Sequence, residues 1–417
     1  MGVQDLRFKL YFLIVNLIGL LIFLYAVINI DLEQWYLYLF WVIIFTVIEM
    51  RPISLNNKGK FTISFPLSLA LLLIYGTWFC VFVSGLGSAI SDIRGKNGWR
   101  KVLFNGSQFK ISALVAGAVY VKLSPPAAKG FVLNEQIVPF VVAAFTYLAV
   151  NYLLVRVIIS LAEGIPLFNA IKMDLKISVL FEFSFAPIGL LMVILYEYTE
   201  PWSMLLLVPP LLLARNSFEY YLKLIKQART TIELLADVID KRDPYTASHS
   251  TRVADYAEKI GREMGLPYEQ VEKLGMAGRV HDLGKIAISD DILQKPGRLS
   301  DEEFAKMKTH PKTGYDILSP LEIYKDLLSY VLYHHERMDG KGYPQGLNSD
   351  CIPLGARVLA VADGFDAMTS DRPYRNAKSG EEAVKELVKN RGEQFDPAVV
   401  DAFLRVWEKE GQTRGET

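Results

Sequence analysis

Between residues 10 and 214 the chain passes through one apolar segment after another, with few charges inside any of them. Backbone N–H and C=O groups in hydrocarbon must be satisfied locally, so a chain patterned this way is expected to fold as membrane-crossing helices. The segments are residues 10–30, 35–50, 63–76, 77–93, 102–121, 137–161, 175–196 and 202–214. They predict about eight spans, although the third and fourth are short and could instead form a re-entrant pair. The first is too long for a signal-peptide core and lacks a small-residue cleavage site, so it reads as a retained anchor.

Loop charge sets the expected orientation. Basic residues gather at Arg51, Lys58 and Lys60, at Arg94, Lys96, Arg100 and Lys101, at Lys172 and Lys176, and at Lys223, Lys226 and Arg229. The alternate loops carry Asp31 and Glu33, then Tyr75-Gly76-Thr77, then Glu197 and Glu200; only Lys122 and Lys129 blur the contrast. The positive-inside rule therefore places both termini in the cytoplasm of a multi-pass cell-membrane protein. Lys110, Arg156 and Glu182 fall inside the spans at similar depth. They are expected either to cluster in the bundle interior or, for the two bases, to snorkel toward the headgroups.

At 417 residues the chain is long enough for more than one domain. Its formal net charge of +0 gives no electrostatic case for binding a nucleic-acid polymer. Cys80 and Cys351 lie far apart in unlike surroundings, which argues against a disulfide. The organisation that follows is a membrane sensor region over residues 1–214, a connector helix over 215–240 and an all-helical cytoplasmic domain over 231–417. The fold class is all-α. Phe218, Tyr221, Ile225, Ala228, Ile232, Leu235 and Ile239 recur at steps of three and four, the seam spacing of a coiled coil. The connector is thus expected either to join two chains as a parallel homodimer or to pack on the following domain.

All five histidines lie in the second half: His249, His281, His310, His334 and His335. Each falls at a predicted helix end or beside a carboxylate, and Asp282 and Asp363 accompany them. Imidazole suits borderline first-row metals and a carboxylate can bridge two, so this set predicts a site for two divalent ions. Gly284 is expected to end the helix after His281 and Asp282, with Lys285 projecting a movable charge beside them. Asp363 and Asp366 lie three apart on one helix face. Ser300 and Glu303 have the spacing of a capping box. After the paired histidines, residues 336–344 form a glycine-rich loop in which Tyr343 offers a ring for a base and Lys341 a charge for phosphate. Arg372 and Arg375 follow the Asp363 helix as two guanidiniums suited to phosphate.

These motifs resemble the HD-GYP family, bacterial cyclic di-GMP phosphodiesterases of the HD phosphohydrolase superfamily. The resemblance covers about residues 231–407 and rests on Tyr245-Thr246-Ala247-Ser248-His249-Ser250, His281-Asp282-Leu283-Gly284-Lys285, Lys308-Thr309-His310-Pro311, His334-His335-Glu336-Arg337, Gly342-Tyr343-Pro344, Val361-Ala362-Asp363 and Gln394-Phe395-Asp396-Pro397. It implies iron or manganese held by His249, His281, Asp282, His310, His334, His335 and Asp363. It further implies that Lys285 meets the scissile phosphate, with Asp282 and Lys285 the catalytic pair. Asp366, Arg372 and Arg375 would help hold the dinucleotide, with Lys341, Gly342, Tyr343 and Pro344 at the rim. Family members with a third metal carry glutamate where this chain has Tyr245, so two ions are expected here. That departure leaves the end product open between linear pGpG and GMP. The competing expectations are an HD phosphohydrolase acting on another cyclic dinucleotide or a nucleotide, a receptor that binds without turnover, and a transporter.

Overall fold

A computed structural model describes residues 3–55, 59–124, 133–172, 175–199, 201–242, 248–371 and 376–415. The chain divides into two compact units, Met1–Leu222 and Lys223–Thr417. In the first, helices α1 (Val3–Ile28), α2 (Trp35–Glu49), α3 (Phe65–Ile74), α4 (Thr77–Arg94), α5 (Trp99–Leu123) and α6 (Leu133–Glu163) follow in order. Asp5–Ile28, Trp99–Leu123 and Leu133–Glu163 are long and apolar enough to cross a membrane, whereas α2 and α3 are apolar but shorter. Helix α1 is apolar on both sides: Val15, Ile22 and Ala26 are buried, while Leu13, Leu17, Leu21 and Leu24 face outward. A helix that is hydrophobic all round belongs in hydrocarbon, and the unit is membrane-associated.

Three features depart from the expected spans, and proline explains two of them. Residues 175–196 form two helices, α8 (Leu175–Ser184) and α9 (Ala186–Tyr198), after a short α7 (Leu167–Lys172). Pro187 sits in the first turn of α9, where its missing N–H costs nothing and the helix restarts. Residues 202–214 likewise split into a 3-10 segment, Pro201–Leu207, and α10 (Val208–Arg242), whose first turn contains Pro209 and Pro210. The third departure is a small antiparallel hairpin, Ile53–Leu55 with Gly59–Phe61, that pairs Ile53 with Phe61. It occupies a stretch expected as a basic loop. The three charges expected inside the spans also differ in their surroundings. Lys110 places its Nζ 5.0 Å from the centre of the Phe23 ring, while Arg156 and Glu182 line a cavity together.

The second unit is all-helical among its described residues. It contains α11 (His249–Glu263), α12 (Tyr268–Val280), α13 (Asp290–Leu293), α14 (Asp301–Met307), α15 (His310–Leu318), α16 (Leu328–Tyr333), α17 (Leu354–Thr369), α18 (Gly380–Lys389) and α19 (Pro397–Gly415). Helix α17 runs through the core, burying Val358, Leu359, Val361, Ala362 and Phe365. Both bonds of the Ser300–Glu303 capping box are present. The connector stripe is divided. Ile232 and Ile239 pack into the core of this unit, while Leu235 stays exposed beside Leu234 and Val238.

Helix α12 stops at Val280, one turn earlier than expected, and Asp282 caps a 3-10 turn, Leu283–Ala287. Gly284 is required there for closeness rather than for helix termination. A Cβ on it would stand 1.9 Å from the His310 carbonyl oxygen and 2.5 Å from the Gly314 nitrogen. The absent side chain lets this turn lie directly on α15, which brings His310 to Asp282.

Candidate metal centre

Five imidazoles and two carboxylates converge in the second unit. Their donor atoms form two groups, Asp282, His310, His334 and His335 in one, and His249, His281 and Asp363 in the other, with the atoms of each group within 4.8 Å of one another. Asp282 stands between them. Its Oδ1 lies 3.2 Å from His310 Nε2 and 4.0 Å from His334 Nε2. Its Oδ2 lies 3.4 Å from His281 Nε2 and 3.8 Å from His249 Nε2. One carboxylate thus turns an oxygen toward each group, the geometry of a bridging ligand.

The outer nitrogens fix the rings. Nδ1 of His281, His310 and His334 donates to the carbonyls of Gly278 (2.8 Å), Met307 (2.8 Å) and Val331 (2.6 Å), each three residues earlier. Nδ1 of His249 meets Asp366 Oδ2 at 2.7 Å. In the neutral rings this sets the tautomer that leaves Nε2 with a lone pair facing the centre. His281 Nε2 is fully buried with no hydrogen-bond partner, an orphan acceptor that a cation would satisfy. Burial pushes the pKa of His335 down to about 3, helped by His310, and burial pushes His334 well down too, so both are neutral donors. Asp282 is held well below the usual carboxylate range: burial opposes this, but Lys285 and the imidazoles of His281 and His310 outweigh it. The residues present fit a metal centre.

Residues 233–399 match the HD domain family, and residues 2–218 match the MASE9 family. This chain belongs to the MASE9 family. Behind its MASE9 region it carries an HD domain. The chain is 44% identical over 183 residues to the cyclic di-GMP phosphodiesterase response regulator RpfG of Xanthomonas campestris pv. campestris, covering 43% of this chain and 48% of the relative. It is 41% identical over 201 residues to a cyclic di-GMP phosphodiesterase of Thermotoga maritima, covering 48% and 54%. It is also 34% identical over 201 residues to 3'3'-cGAMP-specific phosphodiesterase 2 of Vibrio cholerae, covering 46% and 38%. The chain therefore spans about half the length, or less, of these curated relatives.

Within the HD domain, Lys285 Nζ lies 2.5 Å from Asp282 Oδ2, at the edge of the donor groups. Tyr343 lays its ring against His335, with centroids 4.8 Å apart and planes 30° from parallel. Gly342 is a second place where a side chain cannot enter, since a Cβ would meet Arg337 N and Glu336 Cα at 2.5 Å. Pro344 and Lys341 are exposed, and Lys341 Nζ lies 3.9 Å from Asp339. Arg372, Arg375 and Tyr245 lie outside the described residues.

Asp366 is placed differently from a dinucleotide contact. It is buried, and its two oxygens are taken by His249 Nδ1 and by Arg252, whose Nε and Nη2 reach Oδ1 at 2.5 Å and Oδ2 at 2.9 Å. Asp366 fixes the His249 ring from behind, and Arg252 holds Asp366. Sequence reasoning missed Arg252, although it stands three residues after His249 on the same helix face. It also missed Asp240, which accepts from Ser250 N at 2.9 Å and Ser250 Oγ at 3.1 Å and so anchors the start of α11. Buried Glu336 was passed over as well. Its Oε1 accepts from the backbone N–H of Gln345 (2.8 Å) and Gly346 (3.1 Å), and its Oε2 from that of Leu347 (3.0 Å), pinning the Tyr343 loop to the site.

Two outcomes follow from these contacts. Asp366→Asn should weaken metal binding by about 10–100-fold while leaving the HD domain folded, because His249 loses the anion that fixes its ring. Metal content measured against free metal concentration checks this; unchanged affinity would remove the orienting role. The second concerns protons. Burial opposes a charge on metal-free His249, but Asp363 and Asp366 prevail and push its pKa up to about 10. A cation at Nε2 must displace that proton. Loading near pH 7.5 should therefore release about one proton per chain, and affinity should rise about tenfold per pH unit for that proton until the pH nears its pKa. An indicator-dye titration reads the release, and loading without it would contradict the assignment.

Proposed function

We propose that the chain is a membrane-bound phosphodiesterase whose HD domain hydrolyses cyclic di-GMP, to linear pGpG or onward to GMP. The observation carrying this reading is Asp282, turned toward two sets of nitrogen donors with Lys285 at their edge. The donor set has no thiolate and suits two divalent ions, iron or manganese. Bound cations supply Lewis acidity at the phosphate and acidify water near neutral pH. In the reaction a water oxygen bonds to phosphorus, the P–O3′ bond breaks, and the 3′ oxygen takes up a proton. Lys285 shifts from Asp282 to a non-bridging phosphate oxygen as negative charge grows there. Tyr343 stacks on a guanine, its ring backed by His335 and its loop held by Glu336. Arg372 and Arg375 take the second phosphate.

The MASE9 region is read as a sensor of about eight spans with both termini cytoplasmic, so that the HD domain acts in the cytoplasm. The connector pairs with that of a second chain through exposed Leu234, Leu235 and Val238. No nucleic-acid polymer is expected as a partner.

The test is to incubate the purified chain, loaded with iron or manganese, with cyclic di-GMP and identify the products. Lys285→Ala should lower kcat by about 10²–10³-fold while metal content stays near that of the native chain. Loss of metal instead would make Lys285 a structural partner of Asp282. The similarity to a 3'3'-cGAMP-specific phosphodiesterase favours one second reading, hydrolysis of a mixed cyclic dinucleotide. Running 3'3'-cGAMP in parallel separates the two.

A further inference from the structure

The MASE9 unit contains a partly open cavity of about 900 Å³, within the usual range for drug-sized ligands. Carboxylates from three helices reach it: Glu49 at the end of α2, Asp92 on α4 and Glu182 on α8. Each is at least partly buried, and among the described residues none forms an ion pair with lysine or arginine. Asp92 instead accepts from the amides of Asn97 (2.6 Å) and Asn105 (2.8 Å), and Glu49 from the hydroxyls of Thr62 and Ser64. Arg156 supplies the one buried positive charge of the lining; the other bases there, Arg94, Arg100 and Lys101, are exposed and screened by water.

An independent observation points the same way. Gln108 lines this cavity at 8% exposure, and its Oε1 has no hydrogen-bond partner. Asn151, also on the wall, leaves its Oδ1 unpartnered. Both orphans are acceptors. Buried acceptors, with three carboxylates set against one buried guanidinium that acts on Glu182, call for a ligand that brings N–H donors and positive charge. The volume exceeds what a bare metal ion needs, and Phe65, Phe109 and Tyr147 add aromatic surface. A cation is attracted to ring faces, and an apolar body is stabilised beside them.

We infer that this cavity binds a small organic amine, its ammonium among Glu49, Glu182 and the Gln108 and Asn151 carbonyls, and its apolar body against the aromatic wall. The inference rests on reading this unit as a membrane sensor, but it is tested by binding alone, so it stands or falls apart from the hydrolase. The full chain is placed in lipid nanodiscs and titrated with dansylcadaverine, a fluorescent aromatic primary amine, with empty nanodiscs subtracted. Its N-acetyl derivative, the same body without charge, is titrated in parallel. The native chain should bind the amine at least tenfold more tightly than the acetylated probe, and Glu182→Gln should erase most of that difference. Circular dichroism and the thermal melt of the same nanodiscs report that the variant chain is folded. Equal binding of the two probes by the native chain would overturn the inference whether or not any variant folds. So would an undiminished preference in a folded Glu182→Gln chain.

Discussion

Replacing Asp282 with alanine is expected to abolish hydrolysis, lowering kcat/KM by about 10⁴-fold or more, and to strip the HD domain of metal. Among the described residues it is the carboxylate whose two oxygens face both donor groups, at 3.2 Å from His310 and 3.4 Å from His281. Without it each group loses a ligand, and five imidazoles face one another with a single carboxylate, Asp363, to offset a pair of dications. Lys285 also loses its partner 2.5 Å away. Asp282→Asn should fare little better, since an amide keeps the shape and gives up the charge. Metal analysis and product formation on the same preparation check this, with circular dichroism confirming that the helices persist. A metal-depleted Asp282→Ala chain with native turnover would refute the assigned role.

The second large effect is expected from a residue with no side chain. Gly284→Ala must push the 3-10 turn away from α15, because a Cβ 1.9 Å from the His310 carbonyl needs on the order of 1.5 Å more room. Neither neighbour can yield cheaply, since both are backbone atoms of α15, the helix that starts at His310. Overpacking of this kind costs about 1–3 kcal/mol. Separating Asp282 from His310 by about 1 Å should add at least a 10²-fold loss in kcat/KM. A thermal melt of the variant should show the HD transition lowered by roughly 3–10 °C. Native melting and native activity together would mean that the turn and α15 do not need this contact.

The cluster of donor side chains was legible in the sequence because it is an affair of residue type and place. Five histidines confined to one half, with Asp282 and Asp363 beside them, are seven donors before any coordinate is known, and all seven meet. What holds those donors was harder to see. Asp366 has the spacing of a residue facing the same way as Asp363, but spacing cannot distinguish a side chain reaching the substrate from one reaching the back of His249. Only the position of Arg252, across α11, decides that. Gly284 illustrates the same limit. Glycine after a helix ordinarily suggests a C-cap, whereas here it answers to a neighbour 26 residues later in the chain, His310. In the membrane unit hydropathy found the apolar segments. It ran across Ser184 to Ala186 and Leu207 to Val208 without a break, because apolar residues continue through both joints. The prolines just beyond them were the available signal.

The most direct test of the account is to count metal ions in the full chain, purified without oxygen, loaded with manganese and examined by electron paramagnetic resonance. The two donor groups sharing Asp282 predict two ions per chain, magnetically coupled through the carboxylate, with the coupling lost in Asp282→Ala. A fully active chain carrying one ion, or two ions with no coupling, would contradict it.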